Sequence, residues 1–215
     1  MHTALLIDLD DTLIDDRGAM ASAVLQFRRM HSLLPNEEDE AVTSRWDEIG
    51  RSLWRRLALG EVSFVEQRRL RLRGAFFLDL SDSEADSLFA DYLFFYEENW
   101  ALLPGAAEFL AATSHLPRAI VTNGHRPQAR KKISKLGLAS HFQAVVTPED
   151  CGARKPNPKI FLHALELLGV KPSEALMVGD NHEADIAPAL ALGMQAFHVI
   201  PSEASRSIRY AAGAA

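Results

Sequence analysis

Two periodicities divide the chain. Towards both ends, short apolar and partly β-branched runs recur at residues 3–9, 118–122, 142–146, 175–178 and 195–200. Runs of this length read as buried strands. Helical spacing fills most of the gaps, at residues 127–136, 158–168 and 183–192, and Gly137 and Gly169 suit the C-terminal caps of the first two. Strand and helix in alternation predict an α/β fold with a parallel sheet. Between residues 16 and 100 the pattern is helical only. There Trp46, Ile49, Leu53 and Leu57 share one face, and Leu88, Tyr92 and Phe95 share another. Pro35, Gly60 and Gly74 punctuate this block, which reads as an all-helical insertion placed after the first strand. The expected division is a core of residues 1–16 and 101–215 and an insertion of residues 17–100, with hinges at 15–18 and 102–105.

Composition changes this picture little. The 215 residues are 47% hydrophobic and 24% charged, as in an ordinary globular protein. No apolar stretch approaches the roughly 18 residues of a membrane span, and no basic segment leads into an apolar one at the N-terminus, so the expectation is cytoplasmic. The one cysteine, Cys151, cannot form an intrachain disulfide and has no evident activating base, so it reads as inert. A net charge of −6 disfavours binding of a nucleic-acid polymer, while leaving room for a local phosphate site. The arginines at 55, 56, 68, 69, 71 and 73 are interleaved with Glu61 and Glu66 and read as a solvated helix face. The stretch 211–215 is small and Gly-containing, and is expected to fray. Oligomeric state has no signal in the sequence.

The chemistry concentrates where predicted strands end. DLDDT, residues 8–12, follows the first apolar run, and the carboxyl edge of a parallel sheet is where open α/β folds bind ligands. An extended backbone through Asp10 would point Asp8 and Asp10 the same way and Asp11 another. Two like charges on one side call for a shared proton or a cation, and hard oxygen ligands suit Mg2+. Further acid stands at another strand end, in GDNHEAD: Asp180 can reach a cation, Asp185 can support it, and Gly179 permits close backbone approach. Thr122, Asn123 and Gly124 offer a hydroxyl, an amide and backbone N–H groups that suit a phosphate oxygen. Lys155, in RKPNP, precedes a helix with Pro158 in its first turn and could neutralise both phosphate and carboxylates. His125 and His182 lie beside these residues without the spacing of a zinc site.

In this order, and with a helical insertion after the first, DLDDT, VTNG, RKPNP and GDNHEAD resemble the haloacid dehalogenase-like hydrolase superfamily, and more narrowly its phosphatases with a helical C1-type cap. The resemblance implies a doubly wound, Rossmann-like catalytic core with residues 17–100 as the cap. It implies that Asp8 is the nucleophile and forms an aspartyl-phosphate. Asp10 would be the acid and base and would lend its backbone carbonyl to Mg2+. Asp8 and Asp180 would be carboxylate ligands, and Asp185 would support the metal site. Thr122, with backbone help from Asn123, would hold the phosphoryl group, and Lys155 would stabilise its charge and keep Asp8 ionised.

The expected activity is Mg2+-dependent hydrolysis of a small phosphorylated metabolite: a sugar phosphate, a phosphoglycolate-like acid or a nucleoside monophosphate. Its alternatives are a phosphomutase, a haloacid dehalogenase, or, from another class, a receiver-like phosphoacceptor. A halide leaving group needs no acid, so Asp10 argues against dehalogenation. An acidic motif that follows both Thr122 and Lys155 argues against a receiver. Arg17, Trp46, Arg51 and Arg55 are candidate specificity residues of the cap, with packing or surface roles as the plainer reading.

Overall fold

All four residues of β1 (Ala4–Ile7) are buried, which a strand requires when both faces of its sheet are covered. The structure is a computed structural model that describes residues 2–200. The expected fray at 211–215 therefore lies outside the described residues. Beyond β1 come β2 (Arg118–Val121), β3 (Ala144–Val146), β4 (Ala175–Gly179) and β5 (Gln195–His198). Among the described residues these five strands form one sheet in the order β3-β2-β1-β4-β5, and every pairing is parallel.

Two-residue alternation divides the side chains of β1 between two cores. Leu5 and Ile7 join Ala106 and Leu110 of helix α5 and Ala129 and Ile133 of helix α6. Leu6 joins Ile160, Phe161, Ala164 and Leu165 of helix α8 and Ala189 of helix α9 on the other face. These helices span Ala106–Ala112 (α5), Arg126–Lys135 (α6), Pro158–Leu168 (α8) and Ala187–Ala191 (α9), and the short α7 covers Pro148–Cys151. The sheet is thus doubly wound. The helix expected at 183–192 is two pieces, because His182–Ile186 forms a wider π turn before α9.

The described residues fall into two compact units, one made by the chain up to Asp16 and from Ala101 onward, the other by Arg17–Trp100. The second unit is helical: α1 (Asp16–Met30), α2 (Asp39–Ala58), α3 (Phe64–Phe76) and α4 (Asp82–Glu98). Capping boxes open α3 and α4, where Ser63 and Ser81 accept from the backbone N–H groups of Glu66 and Glu84. The buried stripe of α4 runs through Ala85, Phe89, Tyr92 and Tyr96, so the expected Leu88–Tyr92–Phe95 face is centred one position off.

Trp46 packs at the centre of this unit against Phe76, Phe89 and Tyr92, with ring centroids 6.0, 6.2 and 4.5 Å away. Its place is in the core, which corrects its candidacy as a specificity residue. The solvated reading of the arginines also fails at one position. Arg71 is buried, its guanidinium 4.4 Å from the Trp46 ring centroid and its Nε donating to the Trp46 carbonyl at 3.1 Å. Its neighbours follow the expectation: Arg69 and Arg73 pair with Asp82 and Asp86 at the surface. Arg17, Arg51 and Arg55 are exposed, and Arg51 pairs with Asp47.

Candidate active site

Parallel pairing aligns the carboxyl ends of the strands. Ile7 lies opposite Ile120 of β2 and Val178 of β4, and Val121 lies opposite Val146 of β3. The residues just beyond therefore leave the sheet from one edge. The strand expected through Leu9 stops at Ile7, but the ladder holds one residue more on two strands. Asp8 N–H donates to the Val178 carbonyl at 2.9 Å, and Thr122 N–H donates to the Val146 carbonyl at 3.1 Å. Both chemical residues are thus fixed to the sheet by their backbones.

Asp8 is 6% exposed. The Lys155 ammonium donates to its Oδ1 at 2.5 Å, and the Thr12 hydroxyl donates to its Oδ2 at 3.2 Å. Burial raises its pKa to about 6 against the opposing pull of Lys155, and the nearby Asp185 charge adds to the rise. Lys155 also donates to Asp185 Oδ1 at 2.6 Å. Burial works against its charge, but the two carboxylates outweigh burial and raise its pKa.

Asp185 is fully buried, and its Oδ2 accepts from the Asn181 N–H at 3.1 Å. Gly179 makes room for it, since a Cβ there would overlap the Asp185 carboxylate. Asn181 caps the π turn by accepting from the N–H groups of Glu183 and Ala184. His198 donates from Nε2 to the Asp180 carbonyl at 2.8 Å, tying β5 to this loop.

Carboxylate oxygens of Asp8, Asp180 and Asp185 lie within 4.8 Å of one another. Two of the three carboxylates, those of Asp8 and Asp185, share the Lys155 ammonium, and the hard oxygen donors of all three fit a divalent cation of the Mg2+ kind. Asp10 does not add its carboxylate to this group. Its Oδ1 accepts instead from Lys132 at 2.6 Å, and burial raises its pKa to about 6 although Lys132 works against the rise. Asp11, whose role the sequence leaves open, occupies a left-handed turn position at φ 58°, a conformation that Asp tolerates better than most residues.

Thr122 is buried, and its hydroxyl oxygen accepts from the Gly124 N–H at 3.0 Å. The side chain of Asn123, whose expected help to the phosphoryl group comes from its backbone, is engaged with the backbone of Lys155. His125 stands 3.9 Å from Glu149, and the ring centroids of His182 and His198 are 5.9 Å apart. The Cys151 thiol turns to the carbonyls of Thr147 and Ala153.

Lys132 is the site residue that the sequence reading missed. It is buried on α6 with its ammonium 2.6 Å from Asp10 and 2.6 Å from Asp16. One signal was available, because Lys132 shares a helical face with the apolar residues Ala129 and Ile133.

A family model described as haloacid dehalogenase-like hydrolase matches residues 2–193. The chain is 32% identical over 217 residues to the phosphoserine phosphatase of Thermus thermophilus, covering 91% of this chain and 87% of that protein. It is 31% identical over 214 residues to the ribulose-1,5-bisphosphate 5-phosphatase of Halopiger xanaduensis, covering 95% and 87%. Among solved structures, a HAD-hydrolase from Bacillus subtilis bound to magnesium superposes with a TM-score of 0.81 at 25% identity, over 94% of this chain and 90% of that one. The L-2-haloacid dehalogenase of Xanthobacter autotrophicus shares the fold with a TM-score of 0.72 at 24% identity, over 94% and 79%.

Proposed function

Since this chain belongs to the haloacid dehalogenase-like hydrolases, as an enzyme of their phosphatase branch, we propose that it is a Mg2+-dependent phosphomonoesterase working through an aspartyl-phosphate on Asp8. The observation that carries this reading is the setting of Asp8: a buried carboxylate gripped by Lys155 and Thr12, with Asp180 and Asp185 beside it.

Asp8 attacks phosphorus through a carboxylate oxygen as the bond from phosphorus to the ester oxygen breaks. Asp10 gives its proton to that oxygen, and the alcohol leaves. Asp10, now ionised, takes a proton from water, which attacks the aspartyl-phosphate, restores Asp8 and releases inorganic phosphate. Covalent catalysis divides one difficult displacement into two easier ones. The Thr122 oxygen accepts from the Gly124 N–H, and its hydroxyl hydrogen would donate to a phosphoryl oxygen. Lys155 sets positive charge beside the oxygen that bonds to phosphorus, where charge gathers in the transition state.

The carboxylates of Asp8 and Asp180 and the backbone carbonyl of Asp10 would hold Mg2+. Asp185, whose two oxygens already serve Lys155 and Asn181, would support the site from behind. When bound, Mg2+ supplies charge that offsets the carboxylates and the phosphoryl oxygens together. Residues 17–100 are assigned as the cap that selects the substrate.

The relatives named above act, by their names, on an amino-acid phosphate and a sugar phosphate, which supports a small phosphorylated metabolite as substrate. A halide departs without protonation, whereas Asp10 is held in place here by a buried lysine, so the phosphatase reading is favoured over dehalogenation. The test is a panel of phosphorylated metabolites incubated with purified protein, with and without Mg2+, and assayed for released phosphate. Release only with Mg2+ is the expected result. No release from any member of a broad panel would remove the reading.

A further inference from the structure

We propose that Lys132 is a positioning residue for the acid–base step, holding the Asp10 carboxylate where it serves the leaving group. The inference rests on the phosphatase reading above. Helix α6 begins just after the Thr122–Gly124 turn and packs Ala129 and Ile133 into the core, and Lys132 lies on that inward face, 2% exposed. A lysine ammonium brought so far from water costs several kcal/mol unless other groups compensate it. Two carboxylates do so, Asp10 and Asp16, each with Oδ1 at 2.6 Å.

The arrangement is oriented. Asp10 sits beyond the end of β1, where its side chain is 30% exposed. A carboxylate on such a turn would exchange its two oxygens by rotating about its last side-chain torsion, a broad and soft one. Lys132 fixes Oδ1. The other oxygen, Oδ2, then lies 3.6 Å from where a Cβ on Gly124 would stand, a point itself 3.2 Å from the Thr122 hydroxyl oxygen. One oxygen is anchored, and its twin is presented to the turn assigned to the phosphoryl group.

Asp16 completes the anchor from the far end of the tight turn that Asp11 opens. Asp11 N–H donates to the Ile14 carbonyl at 2.8 Å, and Asp16 begins α1 two residues later. Lys132 therefore grips this turn on both sides. In the proposed reaction the proton moves from Asp10 to the ester oxygen as the phosphorus–oxygen bond breaks. Lys132 keeps its own protons throughout, and its charge remains beside the carboxylate that results.

A residue that positions the acid matters most when the leaving group most needs a proton. The experiment compares kcat/KM of Lys132→Met, Lys132→Arg and wild-type protein on 4-nitrophenyl phosphate and on phenyl phosphate, with Mg2+. This ratio reports events up to leaving-group departure and is blind to later hydrolysis of the intermediate. Lys132→Met is expected to lose at least about tenfold more on phenyl phosphate than on 4-nitrophenyl phosphate, within the range general acids contribute. Lys132→Arg should recover most of that difference.

Equal loss on both esters, or none, overturns the assignment while leaving the phosphatase reading intact. Wild-type inactivity on both esters and on every member of the metabolite panel removes the phosphatase reading and the assignment with it. Circular dichroism checks the fold of each variant. If Lys132→Met does not fold, Lys132→Gln, which keeps an N–H donor without the charge, carries the same comparison.

Discussion

The side chain of Asn123 binds both backbone polar groups of Lys155: its Nδ2 donates to the Lys155 carbonyl at 3.0 Å, and its Oδ1 accepts from the Lys155 N–H at 2.8 Å. One amide thus joins the turn after β2 to the loop after α7 and sets the height from which the Lys155 ammonium reaches Asp8. Asn123→Ala would strip both partners at once, at about 1–3 kcal/mol for each polar group left unsatisfied. A displaced catalytic group costs up to about 100-fold in rate. The expected outcome is a 10- to 100-fold lower kcat/KM on 4-nitrophenyl phosphate with CD spectra unchanged. Asn123→Asp, which keeps the acceptor and loses the donor, should fall between the two. Undiminished turnover in Asn123→Ala would show that the lysine needs no such support.

Asp8→Asn tests the nucleophile. An amide of the same shape preserves the volume and can still accept from Thr12, but it cannot form a stable bond to phosphorus. Turnover should fall by about 1,000-fold or more, as when a nucleophile is removed elsewhere. Protein incubated with substrate and quenched in acid should gain no phosphoryl mass. Full activity in this variant would exclude covalent catalysis at Asp8.

Gly179→Ala tests the space behind the carboxylates. The added methyl would collide with the Asp185 side chain, and Asp185 holds Lys155. Overpacking of a tight site costs about 1–3 kcal/mol, so the melting temperature should fall by several degrees. The Mg2+ concentration needed for half-maximal activity should rise as well. A variant with wild-type melting and wild-type Mg2+ dependence would mean that the loop yields freely.

In the other compact unit, Trp46→Ala would empty the space bounded by Phe76, Phe89 and Tyr92 and uncover the Arg71 guanidinium. Truncating a buried tryptophan costs about 3–5 kcal/mol. Urea denaturation should register that loss as a lower midpoint, or as an early separate transition if residues 17–100 unfold on their own. An unchanged midpoint would contradict the central place given to Trp46.

The centre of the sheet could be read from the sequence because β1, β2 and β4 are short, largely apolar and buried along their whole length, so the same run of residues that forms the strand also announces it. The carboxylates that the fold brings together were noticeable for a related reason: Asp8 and Asp180 break an apolar run at the point where the chain leaves the core. Lys132 and Arg71 were hidden by company. Each sits among other basic residues, Arg130, Lys131 and Lys135 for the one and Arg68, Arg69 and Arg73 for the other. Only the helical phase relative to Ile133 or Leu72 separates the buried cation from its solvated neighbours. The tie from Asn123 to Lys155 was not legible because sequence locates an amide without saying which backbone 32 residues away it will meet. The exposed-face reading of the arginines failed at Arg71 for a similar reason, since an aromatic ring supplied by α2 can shelter a guanidinium as well as water can.

The position of β1 between β2 and β4 has a consequence for how the protein is made. The first strand to leave the ribosome is the middle one of the sheet, and its neighbour on one side is not synthesised until residues 175–179. Until then Asp8 and Asp10 follow a strand with an open flank, and closing that flank requires the ends of a long stretch of chain to meet, the kind of distant pairing that slows folding. The carboxylates of Asp180 and Asp185 arrive with the strand that closes the sheet. A nascent chain therefore carries Asp8 long before Asp180 and Asp185 can join it, and the carboxylate cluster should assemble in one late step.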